Sequence, residues 1–146
     1  MNLEQLRLEI EADEGVKYEV YLDHLGLPTC GIGHLVVEGD EEYGAEVGTP
    51  VSEERVAELF ESDVQVTIDE CERLYSGFSE LPEEVQHILA NMMFNMGRPR
   101  LSGFKKFNAA VEAGEWQEAS EEMIDSRWYR QVTNRAERLV KRMQAV

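Results

Sequence analysis

The sequence predicts an α+β fold, mostly helical, with a small antiparallel β-sheet lobe and a helical lobe joined by a long helix. Three observations predict it. Residues 16–32 carry strand-forming residues on either side of a His-Leu-Gly turn, as a β-hairpin does. Residues 52–75 keep an imperfect apolar face at helical spacing for over twenty positions. From Pro82 onward, apolar residues recur three and four apart between glycine and serine punctuation, the pattern of successive helices. A chain of 146 residues suggests one domain. The expected division is residues 13–51 for the β-containing lobe, 52–75 for the connecting helix, and 1–12 with 76–146 for the helical lobe.

Each element has a local reason. Leu3, Leu6 and Ile10 place an apolar stripe on a helix over residues 2–12, and Gly15 closes it. Residues 16–21 and 27–32 form the hairpin strands, with Pro28 suited to an edge, and residues 35–37 can add a third strand. Residues 38–50, rich in Gly and Glu, are expected to be a mobile loop. Ser52 caps the long helix, whose first acids, Glu53 and Glu54, face the positive end of its dipole. At ~1.5 Å per residue this helix spans over ~30 Å. Pro82 starts the next helix, where its missing N–H costs nothing, and Gly97 stops it. Val85, Ile88, Leu89, Met92, Met93 and Met96 make that helix apolar over most of its circumference, so it belongs in a core. Ser102 is expected to cap a helix holding Phe104, Phe107 and Val111, which ends at Gly114. Trp116, Ala119, Met123 and Ile124 mark another, Arg127-Trp128-Tyr129 a short one. Thr133 is expected to cap the last, with Leu139, Val140 and Met143 facing inward.

Charge is unevenly placed. The net is −16, and residues 1–72 hold 20 acids against 3 bases, while residues 73–146 hold 10 against 11. Such a chain should avoid nucleic acid and anionic membrane. No apolar run approaches the ~20 residues that span a bilayer, so no membrane insertion is expected. Met1-Asn2-Leu3-Glu4 lacks the basic and apolar regions of a signal peptide, and synthesis in a cytoplasm is expected. Cys30 and Cys71 are expected to be buried thiols rather than a disulfide. Glu84 and His87 form a single Glu-x-x-His pair, short of the two such motifs and two further glutamates of a di-iron site. No metal and no cofactor are expected.

The chemistry points to the stretch from Asp13 to His34. Alone, Glu14 and Asp23 are two of 30 acids, and most acids are solvated surface charge. Their setting differs. Glycosidic cleavage needs one carboxyl to protonate the leaving oxygen and a second group to activate water or attack. A glutamate at a helix end beside apolar residues suits the acid, and an aspartate at a hairpin turn suits the wetter, ionised partner.

The series Asp13-Glu14-Gly15, Tyr21-Leu22-Asp23 and Thr29-Cys30-Gly31-Ile32-Gly33-His34 resembles the T-even phage lysozymes, the glycoside hydrolase family 24 endolysins. So do Asn91-Met92-Met93-Phe94-Asn95-Met96-Gly97, Ser126-Arg127-Trp128-Tyr129 and Asn134-Arg135-Ala136, in the same order over most of the chain. The resemblance implies a lysozyme-like two-lobed fold. It implies hydrolysis of the β-1,4 bond between N-acetylmuramic acid and N-acetylglucosamine in bacterial peptidoglycan, with inversion, for host lysis by a phage. By the same resemblance Glu14 is the general acid, and Asp23 and Thr29 hold or activate the water. Asp13 with Arg135, and His34 with Asp63, are expected ion pairs, and Gly33, Leu35, Phe94 and Asn95 are expected to line the cleft. A monomer is implied, as is a separate membrane-permeabilising factor that gives access to the wall. Departures fall on subsites: Asn95, Phe107 and Glu122 stand where the T-even enzyme has glutamine, serine and asparagine. The acidic charge departs from that basic enzyme, and repulsion from an anionic wall at low salt is expected. The alternative is a non-catalytic wall-binding or virion structural domain that kept the fold.

Overall fold

The computed structural model of the protein describes residues 1–146. Seven α-helices and three strands follow in the order α1 (Leu3–Glu14), β1 (Lys17–Leu22), β2 (Pro28–Gly31), β3 (His34–Leu35), α2 (Glu53–Leu74), α3 (Glu83–Ser102), α4 (Lys105–Glu112), α5 (Trp116–Ile124), α6 (Arg127–Gln131) and α7 (Thr133–Gln144). A 3₁₀ turn, Phe78–Glu80, precedes α3. No helix is long and apolar enough to cross a membrane. The chain divides into two units, residues 7–66 and residues 1–6 with 67–146. Helix α2 runs from the first into the second.

In residues 7–66 the sheet is antiparallel in the order β1-β2-β3. Tyr21 pairs with Thr29, and Thr29 with Leu35, so Thr29 sits at the centre of the sheet. The third strand is shorter than the sequence suggests, because the chain turns away after Leu35. The loop expected to be mobile is stitched along β1 instead. Gly48 N–H donates to Val20 O (2.7 Å), Val20 N–H to Thr49 O (2.9 Å) and Val51 N–H to Tyr18 O (2.9 Å). Val20, Cys30, Ile32, Val36 and Val51 are buried, as are Val56, Leu59, Phe60 and Val64 of α2. Ser52 Oγ accepts from Arg55 N–H (3.1 Å), the cap its sequence position predicts.

In residues 67–146 the apolar helix α3 is the core element, buried from Val85 to Met93 and again at Met96 and Leu101. Helix α7 packs on α3, α5 and α6, and α4 packs on α5. Gly97 does stop the first run of α3, at φ 80° and ψ 161°, a backbone conformation that only glycine adopts without strain. A second short helical stretch follows, carrying Pro99. The sequence reading ended the helix at Gly97 and did not anticipate this stretch, which corrects the role of Ser102. Its hydroxyl lies at the end of that stretch and donates back to Pro99 O (3.0 Å), while α4 starts from Phe104 without a side-chain cap. Thr133 is likewise not a cap: it is the first residue of α7, and its hydroxyl donates to Arg130 O (3.3 Å). Ser126 is the true capping hydroxyl here, accepting from Tyr129 N–H at the start of α6 (3.1 Å).

Candidate active site

Glu14 is the last residue of α1, half-buried, and Gly15 N–H closes the helix onto Glu11 O (2.8 Å). Its carboxylate sits against the backbone of Gly33. A Cβ at Gly33 would stand 2.5 Å from Glu14 Oε1, and Gly33 holds φ at +61°. Gly33 therefore leaves the space that the carboxylate occupies.

Asp23 stands at the end of β1, where the chain reverses. One of its oxygens builds the turn: Oδ1 accepts from Leu25 N–H (2.8 Å) and Leu27 N–H (2.9 Å). Oδ2 has no hydrogen bond within the protein and is available to a water. Thr29 is buried, and its hydroxyl donates to Leu27 O (3.0 Å). With its one proton committed, Thr29 Oγ1 offers only lone pairs. Asp23 and Thr29 thus present acceptors, the groups that orient a water through its hydrogens. Tyr21 is paired with Thr29 across the sheet. Its phenol is pushed above the ordinary value by burial and then by Glu14 and Asp23. Lys17 lies 4.3 Å over the Tyr21 ring.

His34 is brought together with Asp63 of α2, Nδ1 to Oδ2 at 2.7 Å, and with a second carboxylate that the sequence did not mark. Nε2 lies 2.8 Å from Asp40 Oδ2. An imidazolium donates through both nitrogens, and His34 is pushed up to about 9, most by Asp63, against burial and with help from Asp40. Asp40 also accepts from Val37 N–H (3.0 Å). Burial opposes its charge, but this amide and His34 outweigh it and hold its carboxyl below the usual range. One residue pair further on, Arg55 Nε donates to buried Glu42 (2.9 Å) and Nη1 to Glu58 (2.7 Å). Leu35 is exposed on β3.

In residues 67–146 Phe94 and Asn95 are half-buried near the end of the first run of α3. Asn95 Oδ1 accepts from the indole N–H of Trp128 (2.7 Å), itself buried on α6. Arg135 is buried on α7, and its Nε donates to Asn91 Oδ1 (2.8 Å). Asp13, half-buried in the last turn of α1, belongs to the other unit. Phe107 is buried and meets Phe104 edge-on, with centroids 6.3 Å apart, so it fills space rather than presenting a polar contact. With Glu122, Lys106 and Arg127 they line a cavity of about 330 Å³. Glu84 is engaged by Arg142 (2.6 Å), which holds its carboxyl below the usual range despite burial. Both cysteines are free thiols in buried sites; burial, then acidic neighbours, pushes Cys30 up to about 11 and Cys71 up to about 12.

Asp40, Glu42 and Arg55 are supporting residues that sequence reasoning missed, and Asn91 and Trp128 stood in its motifs without a role. The Trp128 motif was visible, but its partner lies 33 positions away.

The phage lysozyme family model matches residues 11–145. Probable T4-type lysozyme 2 of Dictyostelium discoideum is 33% identical over 150 residues, which cover 90% of this chain and 88% of that protein. The pre-baseplate central spike protein Gp5 of Enterobacteria phage T4 is 31% identical over 89% of this chain, but only 26% of its own length is matched. Peptidoglycan hydrolase gp36 of Pseudomonas phage phiKMV is 30% identical over 94% of this chain and 15% of its own length.

Proposed function

The chain belongs to the phage lysozyme family, and from that premise we propose that it hydrolyses the β-1,4 bond between N-acetylmuramic acid and N-acetylglucosamine in bacterial peptidoglycan, with inversion. The observation that carries the reading is the Glu14 carboxylate seated over Gly33, with Asp23 Oδ2 and Thr29 Oγ1 left as acceptors in the same unit. Glu14 gives its proton to the leaving glycosidic oxygen. A water held by Asp23 and Thr29 attacks the anomeric carbon from the opposite face, and Asp23 takes its proton. The transition state resembles an oxocarbenium ion, so the negative charge of Asp23 also stabilises it. Gly33, Leu35, Phe94 and Asn95 contact the glycan in this reading. The protein acts as a monomer in the lysis of a phage's host, after a separate factor has permeabilised the membrane.

NMR of the first products from purified peptidoglycan tests the mechanism. The α-anomer appears first under inversion; an initial β-anomer contradicts it. A second reading is supported by the name of one relative, a central spike protein: a wall-binding or structural domain that retains the fold without catalysis. That reading predicts no turnover of peptidoglycan by the wild-type protein.

A further inference from the structure

Asn95 and Trp128 form a hydrogen bond whose direction is fixed by chemistry. An indole nitrogen can only donate, so the group that meets Trp128 Nε1 at 2.7 Å must be the carboxamide oxygen of Asn95. The carboxamide cannot rotate by 180° without setting its own N–H against the indole N–H. Asn95 Nδ2 is consequently aimed away from Trp128. It makes no hydrogen bond within the protein, and it is not among the buried unpaired atoms, so solvent reaches it. Trp128 is itself held firmly, being buried in α6, a helix capped by Ser126.

We propose that Trp128 is a positioning residue that locks the Asn95 carboxamide, so that Asn95 offers the substrate N–H donors and no acceptor. Asn95 then favours glycan substituents that carry an acyl oxygen and discriminates against an ammonium group at that point, which has no lone pair to accept with. This deepens the reading above and rests on it, since peptidoglycan supplies acyl oxygens from two sources, the acetamido groups of the sugars and the carbonyls of the stem peptide. The donor pair favours either source over an ammonium group, because a locked donor facing another donor leaves both unpaired.

The test is equilibrium binding of glycan strands in a Glu14→Gln background, where turnover does not interfere. Asn95→Asp keeps an acceptor for Trp128 and removes the donors, and the Trp128 indole N–H resonance shows whether that bond survives. With acetylated, peptide-bearing strands, Asn95→Asp is expected to raise Kd about tenfold, the loss of one well-made hydrogen bond. The penalty is expected to shrink below about twofold on N-deacetylated strands if the acetamido group is the acceptor, or on peptide-free strands if the stem is. Trp128→Phe, which frees the carboxamide to rotate, is expected to raise Kd about two- to threefold with the same substrate dependence. A penalty equal on all strands, or none while the indole resonance is retained, overturns the inference. Absence of binding by the parent protein to every strand overturns the functional reading, and the inference with it.

Discussion

Residues 7–66 and residues 67–146 are stabilised by different physics. The first unit holds 16 acids and 3 bases; the second, with residues 1–6, holds 14 acids and 11 bases. The first places its few cations against carboxylates or over a ring. Arg55 joins Glu42 and Glu58, Arg7 joins Glu61, and Lys17 covers Tyr21. His34, between Asp40 and Asp63, acts as a further cation. The second unit is centred on a buried apolar helix, and its buried polar groups include neutral and charge-assisted hydrogen bonds such as Trp128 to Asn95 and Arg135 to Asn91. The carboxylates that the proposed mechanism uses sit in the unit that carries most of the acidic charge. Changes of pH should therefore act first on residues 7–66, and loss of apolar volume should act first on residues 67–146.

The largest expected effect comes from the apolar unit. Met92→Ala, at a fully buried site of α3, should destabilise the protein by about 3 kcal/mol and lower Tm by about 6–12 °C. The loss should be nearly independent of pH, and thermal melts at pH 6 and 9 check both points. A strongly pH-dependent loss would break the comparison.

His34 gives an effect of similar size with the opposite signature. In the folded protein it keeps its proton up to about 9, and its ordinary value is 6.5. Its contribution is thus fully present below pH 6.5, declines as pH rises, and is gone above about 9. The linked change is about 3 kcal/mol. Denaturant melts across pH 6–9 should show this decline in the wild type, a smaller one in Asp40→Asn, and almost none in His34→Gln. An unchanged decline in His34→Gln would assign the pH dependence elsewhere.

A smaller effect is expected at Glu42→Gln, about 1–2 kcal/mol, since Arg55 then loses its buried carboxylate partner but keeps Glu58. Amide exchange sharpens the point. Protection should fall along β1 and residues 48–51, which the loop joins by backbone bonds, and not in α3. Equal loss in both units would show that the network stabilises the whole chain rather than this loop.

Much of the fold was legible because its signals are local. Ser52 reads as a cap, Gly97 as a stop, and the apolar circumference of α3 as a core helix, from a few residues each. The stretch after Gly97 was not, because Pro99 has the same sequence signature whether it ends a helix or begins a new turn. The loop at residues 38–50 misled for a different reason. Its run of acids reads as solvated charge, and nothing nearby in sequence says that Asp40 folds back on His34 or that Glu42 waits for Arg55. In the candidate site, Glu14 and Asp23 were marked by the chemistry and Thr29 by the family resemblance. The direction of each hydrogen bond was not: Thr29 spends its proton on Leu27, and Asn95 its oxygen on Trp128. Those commitments depend on backbone geometry and on partners distant in the chain. They decide what each side chain has left to offer a substrate.

Turnover of purified peptidoglycan by the Glu14→Gln protein tests the central claim most directly. The neutral amide fills the same space over Gly33 but cannot deliver a proton. Activity is expected to fall by about 10²–10⁴-fold, with the His34-linked pH profile unchanged. Turnover within a few-fold of wild type would contradict the assignment of Glu14, and equal inactivity of both proteins would contradict the enzymatic reading itself.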